Sequence, residues 1–367
     1  MQTTSLRQLL RASGYGVALF LPALLIVASA IDEPYLVFAT VMLLFPMSRL
    51  VFGAVPSGQA TAWRPWLAAA LDQLPVAYFV AFVVALAITL GHLTALLDIH
   101  ELTRAAAAAL GWSLSLWMVM MFATCVAHTL IHAPGPNRRR LGHVLAGLAG
   151  YPLLGYEHVR HHRMSGNTHA AEWPRMDESV WRFAARRLRV LAEETISPQG
   201  LAFRGDARSA SVQGLRLSIA CTAATAGLFA FNAGWVGLAI YCAASALVSF
   251  SVQLVTYMQH WGLGDDHMAD ARGQRYSWDS DCRLQAWLTM GLSLHQHHHH
   301  DGAAPYYESR LAEGSPRHPA GYVLLMLAAL VPSVWRRVMH PVLQRWVADP
   351  RTQPTAGRRL TCIAHYK

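Results

Sequence analysis

Lysine is almost missing from this sequence: of 30 basic residues only Lys367 is one, and the rest are arginines. Charge of either sign is scarce too. Asp, Glu, Lys and Arg make up 14% of the 367 residues, where a soluble domain carries about 25%. With 54% of the chain hydrophobic, the shortage of charge points to a membrane. The formal net charge of +9 would suit nucleic acid. Here, however, the arginines flank apolar runs, which is the pattern that sets membrane orientation, and no nucleic-acid partner is expected.

Paired cysteines are also absent. Cys125, Cys221, Cys242, Cys282 and Cys362 make no C-x-x-C, which excludes a zinc ribbon, a thioredoxin-like pair and a Cys-ligated iron centre. No solenoid repeat, low-complexity tail or separate soluble domain is visible. Ionisable residues are nearly missing from the middles of the apolar runs, and residues 217–264 contain no Asp, Glu, Lys or Arg. That argues against a transporter or metal-efflux protein, whose pathway places such groups near mid-span.

The apolar runs are long enough to cross a hydrocarbon layer of ~30 Å at 1.5 Å per residue. The expected fold is an all-α integral membrane protein of about six transmembrane helices, forming one domain over residues 1–367. The spans fall at 12–31, 35–55, 74–97, 105–131, 217–231 and 234–260. The first resembles a signal peptide, but its length and the runs that follow favour an uncleaved span. The second contains Arg49, placed to snorkel to an interface. The run 141–156, with four glycines and a proline, reads as interfacial or re-entrant. The run 321–334 is too short to cross and is expected on the bundle or at the interface. If both termini are cytoplasmic, only Arg104 of the basic residues falls in an external turn. The polar segments 132–216 and 261–367 are then cytoplasmic, and a bacterial inner membrane is the expected location.

Eleven of the 19 histidines gather in four places. They are His128-x-x-x-His132, Glu157-His158-Val159-Arg160-His161-His162, Gln259-His260-Trp261-Gly262 and the run from His295 to His300. On a helix, residues three or four apart share a face, so each cluster can aim two or three imidazoles at one place. His128, His132, His158, His161, His162, His260, His295, His298 and His299 make nine candidate ligands, enough for two metal ions and too many for one. The expected topology brings all four groups to the same side of the membrane. Imidazole accepts iron, zinc and copper alike, so the residues leave the metal open. The run His297–His300 is similar to a purification tag but is internal and follows an apolar stretch.

The order H-x-x-x-H, E-H-V-R-H-H, Q-H-W-G-L and L-x-x-H-x-x-H-H, between Leu74 and Arg310, resembles the integral-membrane di-iron alkane monooxygenases. These belong to the wider fatty-acid desaturase and hydroxylase superfamily. The resemblance implies a cytoplasmic histidine-rich site holding two non-haem iron ions. It also implies insertion of one oxygen atom from O2 into an unactivated C–H bond of a hydrophobic alkane or alkyl chain. Three positions depart from the family pattern. The second box lacks the extra residue of E-H-x-x-G-H-H, the H-Y-G box reads H-W-G with Gln259 where Glu is usual, and Thr129 stands where Glu is usual in the first box. Aryl-methyl hydroxylation and acyl-chain desaturation or decarboxylation are the alternatives within the superfamily.

The chain has no cysteine centre to relay electrons. A separate carrier is therefore expected, which the resemblance implies is a rubredoxin or ferredoxin with its NAD(P)H-dependent reductase, besides membrane lipid and the substrate. Arg138, Arg139, Arg140, Arg160, Arg163, Arg186, Arg187 and Arg189 are candidates to dock an acidic carrier. Glu157 is the candidate catalytic residue, expected with Asp177 and Glu178 to hydrogen-bond the outer N–H of a ligand. Trp112, Trp117, Met118, Met121, Phe122, Phe250 and Tyr257 are candidates to line an apolar route to the histidines.

Overall fold

The computed structural model describes residues 2–56, 61–264, 276–312 and 314–349. Part of the expected cytoplasmic segment 261–367, including Cys362 and the C-terminus, lies outside them. Among the described residues the elements are helical, and β pairing is limited to two isolated bridges. Four helices are long and apolar enough to cross a membrane: α1 (Gln8–Ala30), α3 (Pro65–Asp98), α4 (Leu102–His132) and α8 (Ala210–His260). Between α1 and α3 lies the shorter apolar α2 (Leu36–Phe52), tightened into a 3-10 turn at Phe45–Met47 around Pro46. Arg49, expected to snorkel to an interface, is exposed at the end of α2 and held by an acid. Its guanidinium donates to Asp281 at 2.8 Å.

α8 corresponds to the two spans expected at 217–231 and 234–260. Its backbone leaves helical geometry at Ala233 and Gly234, and Gly234 takes φ +58° and ψ −148°, a conformation that glycine adopts without steric cost. The two arms fold back on each other there. The rings of Phe229 and Tyr241 lie 5.1 Å apart, whereas twelve residues of straight helix would separate them by about 18 Å. The α1–α2 and α3–α4 turns sit at the same end of the bundle: Asp32 hydrogen-bonds His92 at 2.9 Å, and Leu97 is the nearest side chain to Gly234.

The opposite end is built by shorter helices. The glycine-rich run 141–156 forms α5 (Pro136–Leu148), a turn, and the start of α6 (Leu154–Arg163). Expected to be interfacial or re-entrant, it is packed between α4 and α8. A Cβ on Gly142 would meet the α4 backbone at 2.8 Å, and one on Gly147 would meet the Ser218 carbonyl of α8 at 2.4 Å. Small residues here allow close backbone approach. Thr222 and Tyr241 then donate hydroxyl hydrogen bonds to the Gly147 carbonyl at 2.9 and 3.1 Å.

α7 (Val180–Thr195) buries Phe183, Ala184 and Leu191 against the bundle. After α8 come α9 (Arg283–Leu288) and α10 (His295–His300), then α11 (Tyr322–Leu330) and α12 (Pro332–Ala348). α11 and α12 pack on the bundle in a second core built around Trp173, Tyr257, Trp261, Trp278 and Trp335.

Candidate metal centre

Four helix ends deliver the nine histidines to one place. The last turn of α4 carries His128 and His132, α6 carries His158, His161 and His162, α8 ends at His260, and α10 carries His295, His298 and His299. The ring nitrogens fall into two groups, each within 4.8 Å: His128, His132, His158 and His298, and His161, His260, His295 and His299. His162 lies against the first group, its Nε2 3.0 Å from that of His298.

Sequence spacing allowed each cluster to serve one point, but the structure divides them between two. His158 and His162, four apart, turn toward the first group, while His161 turns to the second. On α10, His295 and His299 join the second group and His298 the first. Successive helical residues diverge by about 100° around the axis, so adjacent histidines cannot converge on one point. The i, i+4 pair serves one group and the residue between them serves the other.

The Nε2 atoms face inward. The separations are 3.0 Å for His128–His158, 3.2 Å for His161–His299, and 3.0 Å for both His260–His295 and His295–His299, with His132 also against His158. Two nitrogens each about 2.1 Å from an ion and at right angles to one another are about 3.0 Å apart. Mutual hydrogen bonds cannot satisfy such a set, since a neutral imidazole has one N–H and one lone pair. Burial, reinforced by neighbouring histidines and, at His161, by Arg187, holds His158, His161, His295, His298 and His299 well below the usual histidine range. Neutral, inward-facing lone pairs fit a cation in each group.

A buried charge network supports the second group. Glu172 lies with a carboxylate oxygen 3.4 Å from His161 Nδ1, accepts from Arg160 and forms an ion pair with Arg187 at 2.8 Å. Arg187 also donates to Glu157 at 2.9 Å, and Glu157 accepts from Tyr151 and Gln253. Glu157 therefore braces Arg187 and not an imidazole. Of the other two acidic candidates, Asp177 is exposed and Glu178 is paired with Arg186. The carboxylate beside a histidine, Glu172, was missed because no helical spacing ties it to a cluster. Trp173 next to it stacks on His260 with ring centroids 4.1 Å apart.

An apolar cavity of about 350 Å³ leads toward the histidines. Trp117, Met118, Met121, Phe122 and Phe250 line it, as expected from the sequence. Trp112 packs instead near His92, and Tyr257 against Phe183 and Trp335. Met121, Ser251, Thr289 and Tyr322 also line a chamber of about 110 Å³ walled by His128, His158, His161 and His295. No charged side chain lines the larger cavity.

The family described as Fatty acid desaturase matches residues 103–324. Alkane 1-monooxygenase 1 of Pseudomonas aeruginosa is 27% identical over 260 residues, covering 67% of each chain. Alkane 1-monooxygenase 2 of the same organism is 27% identical over 68% of this chain and 69% of its own. Alkane 1-monooxygenase 2 of Alcanivorax borkumensis is 26% identical over 70% of this chain and 69% of its own. The matched region runs from the start of α4 into α11 and takes in all four helix ends that carry the histidines, so the chain belongs to the fatty acid desaturase family.

Proposed function

We propose that this protein is a membrane-embedded, O2-dependent di-iron monooxygenase that hydroxylates an unactivated C–H bond of an uncharged hydrophobic chain. One observation carries the reading: an apolar cavity with no charged lining adjoins the small chamber, lined also by Glu157 and Arg187, on which both all-histidine groups border. The similarity to alkane 1-monooxygenases points the same way. His128, His132, His158 and His298, with His162 beside them, would hold one ion, and His161, His260, His295 and His299 the other. Bound iron supplies the dioxygen and C–H chemistry that no side chain of this protein provides.

The protein's own part is to bind, orient and exclude water. The cavity wall favours a hydrocarbon and leaves a carboxylate head without a partner, a costly burial. Tyr322, held by Gln259 Nε2 at 2.9 Å, and Met121 narrow the passage where the chain would enter the chamber. Glu172 orients His161, while Arg160 and Arg187 balance the buried carboxylates.

Electrons would come from a separate rubredoxin or ferredoxin with its reductase. Arg138, Arg139, Arg140 and Arg163 are the arginines left to meet such a carrier, because Arg160, Arg186 and Arg187 are paired within the protein and Arg189 lies 3.9 Å from Glu193. Counting α8 as two passes gives six, with the histidine end and both termini cytoplasmic.

The test is expression with a rubredoxin or ferredoxin system, feeding of alkanes, methyl-arenes and fatty acids, and identification of products by mass spectrometry. Alcohols from uncharged chains are expected, with about two irons per purified chain as the two groups require. His161→Ala should lose both activity and metal. Alkene without alcohol from every substrate would replace hydroxylation by desaturation, and zinc alone without activity would remove the iron assignment.

A further inference from the structure

A separate cavity of about 230 Å³ reaches the first histidine group. It shares no lining residue with the apolar cavity, and only His128 and Leu292 with the chamber between the histidines. Its wall is polar where the other is apolar, carrying Asp72, Arg138, Asp301 and Tyr307, with Tyr307 donating to Asp72 at 3.1 Å. Its rim is exposed at Pro134, Asp301 and Ala303, on the arginine-rich end of the bundle. Inside it ends on His128, His132 and His298 and on no histidine of the second group.

The two groups therefore differ in access. His132 and His298 are partly exposed. In the second group His299 is partly exposed, but His161, His260 and His295 are buried, His260 beneath the fully buried Trp173 and His161 against the fully buried Glu172. Groups that shield a metal site control solvent access to it.

We propose that the polar cavity is the aqueous entrance of the metal centre, taking a hydrated divalent cation, and that it serves the first group alone. This rests on the two-metal reading above. Two carboxylates against one guanidinium attract the cation, and oxygen donors suit it while it is still hydrated. His132 and His298 then replace its water. The ion at His128, His132, His158 and His298 is the exchangeable one; the ion at His161, His260, His295 and His299 is sealed.

The experiment mixes purified, iron-loaded protein with a water-soluble ferrous chelator and follows iron release by absorbance, after counting total metal. Half of the iron should leave in a fast phase and the rest at least about tenfold more slowly. Gly302→Phe should slow the fast phase and leave the metal count unchanged. A Cβ at Gly302 meets His298 and His132 only at ordinary contact, 3.5 and 3.6 Å, so a ring there fills the cavity. Gly302→Ala should release iron at the wild-type rate. Ala303→Trp at the exposed rim is the second plug, should the phenylalanine prevent folding. Release of all iron in one phase, or plugged variants that release it at the wild-type rate, would overturn the proposal. Fewer than two metals in the starting protein would instead refute the centre itself, and this inference with it.

Discussion

At the scale of single residues, the buried acids divide into two kinds. Glu157 and Glu172 are paired with Arg160 and Arg187, and removing one member of such a set leaves a buried charge uncompensated, at a cost of about 3–5 kcal/mol. Asp279 has no ion pair within 4 Å among the described residues. It accepts from the Gln296 N–H at the start of α10 and from the Ser315 hydroxyl, at 2.9 and 2.7 Å, and burial raises its pKa from 3.8 to about 6. Because the folded state holds this proton more tightly than the unfolded one, Asp279 lowers stability as pH rises from about 4 to 6. The full effect above that window is about 3 kcal/mol. Asp279→Asn keeps an acceptor for Gln296 and removes the ionisation. Its melting temperature relative to wild type should therefore climb between pH 4 and pH 6 and level off above; a constant difference across that range would show that Asp279 does not ionise there. Measuring the difference matters, because the histidines titrate in the opposite sense and cancel between the two proteins. None of this was legible in the sequence, where Asp279 is one acid in a polar stretch. The nine histidines were legible because their spacing is local. Their division between two groups was not drawn from it, although the 100° step between neighbours implies it.

At the scale of elements, what could be read depended on whether a signal had one physical meaning. The 217–264 stretch without charges, broken at Asn232-Ala233-Gly234, could only be two apolar rods and a turn, and α8 has non-helical backbone at Ala233 and Gly234. Glycines in 141–156 read as an interfacial or re-entrant piece, and the sequence alone did not show that they also let helices pack closely. The structure makes Gly147 a contact point between α5 and α8. Gly147→Val should force these helices apart, since its first carbon alone would fall 2.4 Å from the Ser218 carbonyl. Overpacking of this kind costs about 1–3 kcal/mol, and the Thr222 and Tyr241 hydrogen bonds to the Gly147 carbonyl would stretch with it. A clearly lowered melting temperature in detergent is expected. An unchanged one would mean that α5 does not pack on α8 in this way. Because α5 leads into α6, the same variant should also weaken metal retention.

For the whole molecule, the two ends differ in a way that ties topology to chemistry. Three turns, around Asp32, around Leu97 and at Gly234, share one end, and the histidines with most of the arginines occupy the other. The positive-inside tendency supports the proposal that the histidine end faces the cytoplasm, where a reduced electron carrier would be found. The turn end carries its own exposed apolar residues, Phe231 and Trp235, as a helical hairpin tip near a lipid interface would. This arrangement makes a single labelling experiment decisive for both pass number and orientation. In a background with the native cysteines replaced, Glu101→Cys and Trp235→Cys should react with a membrane-impermeant maleimide on intact spheroplasts. Arg139→Cys should react only after permeabilisation. The reverse pattern would invert the protein and put the histidines outside. Labelling of position 235 together with position 139 would put the tip of α8 on the arginine-rich side and so would break the six-pass arrangement. The centre needs His260 beside His161 and His295, so the six-pass arrangement and the two-metal site stand or fall on the same hairpin.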